Sequence, residues 1–303
     1  MSRSTQLKED GNRRYQAGDF VGADSFYSKA ILADPKSPLL FTNRAMARVK
    51  LGLWESVIDD CNACLALAPS SFKAYYYLAE AQSALGDHDA ALDSARRALD
   101  LCAASGDRSL AAVTAVVLRC KRERWEQRER SRHRNAGDLE LELVELLRRQ
   151  TDELLTSEPD DVQQASIRED GQQKVELLRD VFERARSRSE QKRQMPEWAV
   201  DDISFNVMVD PVITKTGKSY ERASIVEHLR RHPSDPLTRE PLMVSELRPN
   251  LALRQACDEF LENNGWAVDW FPHITASFQS AKRLLRASSG LKVVDICSLT
   301  MMV

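Results

Sequence analysis

The chain has 303 residues, of which 43% are hydrophobic and 29% charged, and its formal net charge is −3. This length predicts two folded units joined by a connecting segment, and the near-balanced charge argues against a nucleic-acid partner. There is no apolar run of about 18 residues, so we expect no membrane-spanning helix, and the first residues lack a signal-peptide pattern. Six scattered cysteines favour reduced thiols, so we expect a cytoplasmic protein, with a nuclear location left open.

The N-terminal third of the chain repeats with a period of 34 residues, and three glycines mark this spacing: Gly18, Gly52 and Gly86. Three further sets of positions follow the same register: Phe20, Trp54 and His88; Ala23, Val57 and Ala91; and Ala30, Cys64 and Ala98. Small residues at fixed sites let paired helices approach closely, and a glycine frees the turn between them. Residues 4–105 therefore resemble three stacked helix pairs of the tetratricopeptide (TPR) type.

Stacked pairs of this type form a curved groove lined by the first helix of each pair. The register places four polar residues on this surface: Lys8, Asn12, Asn43 and Lys73. Two ammonium groups and two amides suit a ligand that is rich in carboxylates. The set resembles the carboxylate clamp of chaperone-binding TPR domains. That resemblance implies binding of the free Glu-Glu-Val-Asp tail of heat-shock protein 70 and 90 class chaperones.

The sequence departs from the clamp pattern at one position. The fuller clamp carries an arginine one turn after the third-repeat lysine, where this chain has Tyr77. We expect Tyr76 and Tyr77 to offer an aromatic wall to the apolar residues of the tail instead. The alternative is that the four polar residues are ordinary solvent-facing side chains. Cys61 and Cys64 are expected to be small core residues rather than a zinc or redox pair.

The middle of the chain, residues 106–195, is strongly charged and does not repeat. Its leucines predict a long helix with one apolar stripe, and they include Leu143, Leu146, Leu147 and Leu154. A second helical run follows a polar break at residues 157–161, which predicts an antiparallel hairpin. A second copy of the chain would cover the apolar stripes, so we expect a homodimer. The alternative is a solvated linker.

A basic run occupies residues 121–134 within this charged segment. Such a run is one signal of a nucleic-acid site or of nuclear import. Here the basic residues alternate with glutamates, and there are no aromatic platforms on which bases would stack. We therefore interpret the run as a charged helix face.

Residues 196–268 carry the signals of a compact α+β module. Two short strands are predicted around a glycine turn, followed by a helix at residues 223–231 and a final helix for which Asn250 is a natural N-cap. This succession resembles the U-box, a relative of the zinc-binding RING domain that folds without metal. A RING needs about eight Cys and His ligands, whereas this segment has three such residues: His228, His232 and Cys257. We expect neither a metal nor a cofactor.

The whole pattern, from about residue 4 to residue 266, is similar to the CHIP family of chaperone-associated ubiquitin ligases. The ISF, DPV, SYER, DPLTR and RPNLAL segments match the U-box in order. The resemblance implies a mainly α fold with a TPR superhelix, a charged helical hairpin and a small α+β U-box. It also implies docking of a ubiquitin-conjugating enzyme at five residues: Ile203, Phe205, His228, Pro236 and Arg239. In this family the arginine restrains the enzyme–ubiquitin thioester, and the histidine supports the surface.

The cysteine pattern bears on the mechanism. Cys257 falls on the apolar face of the last helix, so we expect no nucleophilic cysteine and no covalent ubiquitin intermediate. Ubiquitination of chaperones and of their misfolded client proteins would then proceed by proximity. Two alternatives stay open: a non-catalytic co-chaperone adaptor with a degenerate U-box, and a ligase whose groove binds another acidic C-terminus. No function is predicted for residues 269–303, where the resemblance fades.

Overall fold

The computed structural model of the protein describes residues 2–157, 159–189 and 195–270. The extension for which no function is predicted, residues 269–303, lies almost wholly outside the described residues. No helix in the described part of the chain is both long and apolar enough to cross a membrane.

Six helices of similar length form three packed pairs, as the 34-residue period predicts. They are α1 (Arg3–Gln16), α2 (Phe20–Ala33), α3 (Pro38–Leu51), α4 (Trp54–Leu67), α5 (Phe72–Ala84) and α6 (His88–Ser105). The three repeating glycines have φ angles of 79°, 70° and 84°, a left-handed conformation that glycine adopts without steric strain, and they turn each pair. Cys61 and Cys64 are fully buried on α4, so their predicted role as core residues is confirmed.

Two long helices follow the repeats: α7 (Leu110–Ser157) and α8 (Asp161–Ser189). They form the predicted hairpin, with Gly171 of α8 so close to α7 that a Cβ atom on it would lie 2.6 Å from the Thr151 hydroxyl. The start of α7 extends the repeat region, because Val113 and Val117 are buried in the same core as α6. The repeat pattern ends before α7 and gave no sign of this packing.

The apolar residues of α7 lie on two faces, so the prediction of a single stripe was wrong. Val144 is buried and lies two turns before Thr151, on the side of α7 that meets α8. Leu146 lies two residues after Val144, hence on the opposite side of α7, and is 52% exposed, while Leu154 is 49% exposed. Because one stripe suffices to hold α8, the second remains uncovered within the single chain.

The C-terminal module has three short strands and two helices: β1 (Pro211–Ile213), β2 (Ser219–Glu221), α9 (Arg222–Arg231), β3 (Arg248–Pro249) and α10 (Leu251–Asn263). Both neighbours of β1 are antiparallel to it, in the order β2-β1-β3. The predicted N-cap is confirmed, because the Asn250 side chain accepts a hydrogen bond from the Leu253 N–H at 3.1 Å. The strand β3 was not predicted.

The module packs against α6 and α7 through charged residues. The ion pairs that connect them include Lys121–Asp258, Arg96–Asp258 at 3.8 Å, Arg124–Glu262 at 2.5 Å and Arg254–Asp100 at 2.9 Å. Lys121 is only 4% exposed. The charged helix face predicted at residues 121–134 is thus partly covered, because at its start the basic side chains face α10.

Candidate functional site

The first candidate site is the groove lined by α1, α3 and α5. Lys8 and Asn12 lie one turn apart on α1, Asn43 lies on α3 and Lys73 on α5, each on the first helix of its pair. All four are at least partly exposed. The Asn12 Oδ1 accepts a hydrogen bond from the buried Tyr27 hydroxyl at 2.8 Å, which fixes the amide and leaves its N–H groups to donate elsewhere.

Two tyrosines of α5 lie beside Lys73, where the sequence predicted an aromatic wall. The rings of Tyr76 and Tyr77 meet edge to face with their centroids 5.3 Å apart. Both are half-buried: Tyr77 packs on the core between α3, α4 and α5, and Tyr76 on the core shared with α6 and α7. Burial raises the pKa of both hydroxyls. The rings therefore serve the core as well as the groove.

A cation that the sequence did not indicate lies farther along the same side of α5. Arg119 of α7 donates from Nη2 to the Glu80 Oε1 at 2.7 Å, and Glu80 is one turn beyond Tyr76. Burial lowers the pKa of the Arg119 guanidinium, but the hydrogen bond and charge of Glu80 outweigh it and raise the pKa overall. Because α7 lies outside the repeat, no local pattern could have placed this side chain beside α5.

The second candidate site consists of two loops of the C-terminal module, loop A (residues 200–207) and loop B (residues 234–241). Each contains a buried aspartate, Asp201 or Asp235, at 0% and 1% exposure. The residue four positions later donates its N–H to the aspartate carbonyl, Phe205 at 2.8 Å and Arg239 at 2.9 Å. In both loops the N–H of the aspartate donates in turn to the carbonyl five positions later, at 2.9 Å and 2.8 Å.

The agreement between the loops extends to their edges. Each is closed by an isolated antiparallel bridge, Val200 with Val207 in loop A and Ser234 with Pro241 in loop B. In each, the hydroxyl at the third position after the aspartate accepts the N–H two residues further on, at 3.4 Å. The protein therefore builds the same turn twice.

The matched turns give matched backbone conformations. Among the described residues, Phe205 and Arg239 are the two non-glycine residues with positive φ, 60° and 64°. Both side chains are exposed, and Ile203 is half-buried beside the module core. Leu237 holds the loop B position that Ile203 holds in loop A, and it is 68% exposed. Sequence reasoning missed Leu237, although both loops show the same order in the sequence: an aspartate, an aliphatic residue two positions later and a Ser or Thr three positions later.

Loop B is also held by α9. The His228 Nε2 lies 3.0 Å from the Ser234 carbonyl oxygen, just before the buried Asp235. The imidazole thus joins the helix to the base of the loop that carries Pro236 and Arg239. The structure brings together on loop B and α9 three of the residues that the sequence predicted for enzyme docking.

The cysteines have no features of nucleophiles. The five that the structure describes are all buried. Burial raises the pKa of Cys257 and of Cys120 to about 12 and that of Cys102 to about 11, so each is a thiol at neutral pH. Over the same residues, no group of three or more His, Cys, Asp or Glu side chains is arranged to hold a metal ion.

Comparisons with known proteins agree with this organisation. Residues 195–266 match the U-box domain family. The E3 ubiquitin-protein ligase CHIP of Arabidopsis thaliana is 30% identical over 267 residues, which cover 86% of this chain and 94% of the plant protein. Small glutamine-rich tetratricopeptide repeat-containing protein 2 of Mycosarcoma maydis is 33% identical over 101 residues, 33% of this chain and 29% of the fungal protein.

Solved structures match the repeat region. The first TPR of Spaghetti (RPAP3), bound to the HSP90 peptide SRMEEVD, is 32% identical in the matched part. The match covers 37% of this chain and 90% of that chain, with a TM-score of 0.33.

Proposed function

Because the chain belongs to the CHIP family of U-box ubiquitin ligases, we propose that it joins a chaperone and a ubiquitin-conjugating enzyme in one complex. The TPR groove binds the acidic C-terminal tail of heat-shock protein 70 and 90 class chaperones. Loops A and B dock the conjugating enzyme. Ubiquitin then passes to lysines of the chaperone and of its misfolded clients.

The observation that carries the docking proposal is the pair of matched turns. Loop A presents the exposed Phe205 beside the half-buried Ile203, and loop B presents the exposed Leu237 beside the half-buried Pro236. A small, rigid apolar surface of this kind suits transient binding of a protein partner. Arg239 stands at the edge of this surface, where its guanidinium would restrain the thioester-linked ubiquitin.

The chemistry of transfer follows from the cysteines. A ligase that carried ubiquitin itself would need an accessible thiolate, and the described cysteines are buried thiols. The conjugating enzyme therefore keeps the thioester, and a substrate lysine attacks it directly. The ligase contributes proximity and orientation, which raise the effective concentration of that lysine.

The groove proposal rests on charge and placement. Lys8 and Lys73 are cations on two different helices of the same groove, Asn43 lies on the groove helix between them, and Asn12 lies one turn from Lys8. Lysine donates charge-assisted hydrogen bonds to carboxylates, and the amides bind the main chain of an extended peptide. Such a site recognises a terminal carboxylate together with acidic side chains.

We further propose that the protein is a homodimer through α7 and α8. The exposed stripe of α7, with Leu146 and Leu154, is matched on α8 by Leu177 and Val181, which are 65% and 55% exposed. Burial against a second copy would remove this apolar surface from water.

We also propose that the protein works in the cytoplasm and nucleus, where thiols such as its buried cysteines stay reduced.

Calorimetry with two peptides tests the groove directly. A peptide ending in Glu-Glu-Val-Asp with a free carboxylate is expected to bind, and the same peptide with an amidated C-terminus to bind at least about tenfold more weakly. Lys73→Ala is expected to weaken binding of the free-carboxylate peptide, and Lys36→Ala, a substitution in the turn before α3, is its matched control. Equal affinity for the two peptides would rule out recognition of a terminal carboxylate.

A further inference from the structure

We infer that Asp201 and Asp235 are positioning residues: their buried carboxylates hold loops A and B in the turns that present Phe205 and Arg239. This inference rests on the proposed docking function of the two loops. Neither aspartate is itself exposed, so neither can touch the conjugating enzyme, and any effect on transfer must pass through the loop backbone.

Asp201 uses both of its oxygens on main-chain donors. Oδ2 accepts from the Ser204 N–H at 2.8 Å, and also from the Ser204 hydroxyl at 2.7 Å. Oδ1 accepts from the Glu221 N–H at 2.9 Å, at the junction of β2 and α9. The carboxylate thus shapes loop A and ties it to the module core. Because a backbone N–H cannot reverse its polarity, both oxygens must remain acceptors.

Asp235 is held differently at its second oxygen. Oδ1 accepts from the Leu237 N–H at 2.8 Å and the Thr238 N–H at 3.2 Å. Oδ2 accepts from the Thr216 hydroxyl at 3.0 Å. Burial alone would raise the pKa of Asp235, but these hydrogen bonds outweigh it and lower the pKa overall. A hydroxyl can rotate to accept instead of donate, so this position tolerates an amide where Asp201 does not.

The carboxylates matter because the turns are strained. Residues with a side chain rarely adopt positive φ, and such conformations persist where the surrounding contacts determine them. Phe205 and Arg239 both follow a buried aspartate by four residues and donate to its carbonyl. Without the carboxylate, each loop is expected to relax toward negative φ, which redirects the exposed side chain.

The two loops predict different kinetic defects. Loop A carries docking contacts only, so loss of its turn should weaken binding of the charged conjugating enzyme. Loop B carries docking contacts and also Arg239, so loss of its turn should slow ubiquitin discharge as well. If the substitutions only reduced the amount of folded protein, the apparent rate would fall in the same way for variants of either loop.

The test is steady-state discharge of a charged conjugating enzyme by the full chain, with thermal unfolding of each variant. Asp201→Asn is expected to raise KM about tenfold with kcat within about twofold of wild type. Asp235→Ala is expected to raise KM and to lower kcat about tenfold, while Asp235→Asn retains wild-type kinetics. Asp93→Asn, at an exposed aspartate of α6 outside both loops, is the matched control.

Ile203→Ala separates the inference from the function on which it rests. If Ile203→Ala leaves KM unchanged, the docking proposal itself is wrong. If Ile203→Ala raises KM while folded Asp201→Asn behaves as wild type, docking stands and the positioning role of Asp201 is overturned. Equal damage from Asp235→Asn and Asp235→Ala would overturn the role assigned to the Asp235 carboxylate.

Discussion

Lys121 on α7 and Asp258 on α10 form an ion pair across the contact between the long helix and the U-box, 137 residues apart in sequence. The lysine is 4% exposed, and burial lowers the pKa of its ammonium while Asp258 opposes that shift. A buried charge that loses its partner destabilises a protein more than a pair replaced by apolar side chains. We therefore expect substitutions of the two residues to lower the free energy of unfolding by different amounts.

We expect Asp258→Ala to destabilise the protein by about 1–3 kcal/mol, because Lys121 stays buried without this carboxylate. Lys121→Met should change the free energy of unfolding by less than about 1 kcal/mol, since Asp258 is itself partly exposed. Urea unfolding of both variants measures the difference. A larger loss of unfolding free energy from Lys121→Met than from Asp258→Ala would contradict the identification of Lys121 as the buried partner.

Glu221 predicts a pH dependence of stability. Burial raises the pKa of its carboxyl from 4.5 to about 7, against the N–H groups of Asp210 and Val209, which lower it. In the unfolded chain the carboxyl ionises at its ordinary pKa, so its contribution to stability is fully present below pH 4.5 and is lost as pH rises through about 7.

Glu221→Gln removes this titration while keeping an acceptor for the two N–H groups. The variant should therefore gain stability relative to wild type between pH 5 and pH 8, by about 1–3 kcal/mol. Chemical unfolding at several pH values gives the curve. A difference between the two proteins that is constant across this range would show that Glu221 does not titrate in it.

Leu237 is expected to be a docking residue because it repeats the position of Ile203. Leu237→Ala should raise KM for the charged conjugating enzyme about five- to tenfold without lowering the melting temperature, since the side chain is exposed. Leu251→Ala is the matched control, a leucine of 69% exposure outside both loops. Equal KM values for the two variants would remove Leu237 from the docking surface.

The dimer proposal predicts that charge on the exposed face of α8 separates the two copies. Leu177→Asp combined with Val181→Asp should give a monomer, because burying two carboxylates in an apolar contact is strongly unfavourable. Light scattering on the full chain measures the mass at micromolar concentration. A wild-type monomer, or a double variant with the wild-type mass, would mean that this face is not the interface.

The sequence predicted those features that depend on local spacing. The period marked by Gly18, Gly52 and Gly86 located six helices, and Asn250 located the start of α10. It did not predict the burial of Lys121 or the place of Arg119, because their partners lie far away along the chain. Sequence reasoning missed the likeness of loops A and B, because Phe205 and Arg239 share a backbone conformation rather than a residue type.

The measurement that tests the central claim most directly is a reconstituted ubiquitination reaction. It would contain activating enzyme, a panel of conjugating enzymes, ubiquitin and a chaperone ending in Glu-Glu-Val-Asp, with wild-type, Ile203→Ala or Lys8→Ala protein. We expect ubiquitin chains on the chaperone with wild-type protein and a loss of at least about tenfold with either variant. No transfer across the whole panel, with binding of the tail intact, would contradict the claim and leave a chaperone adaptor.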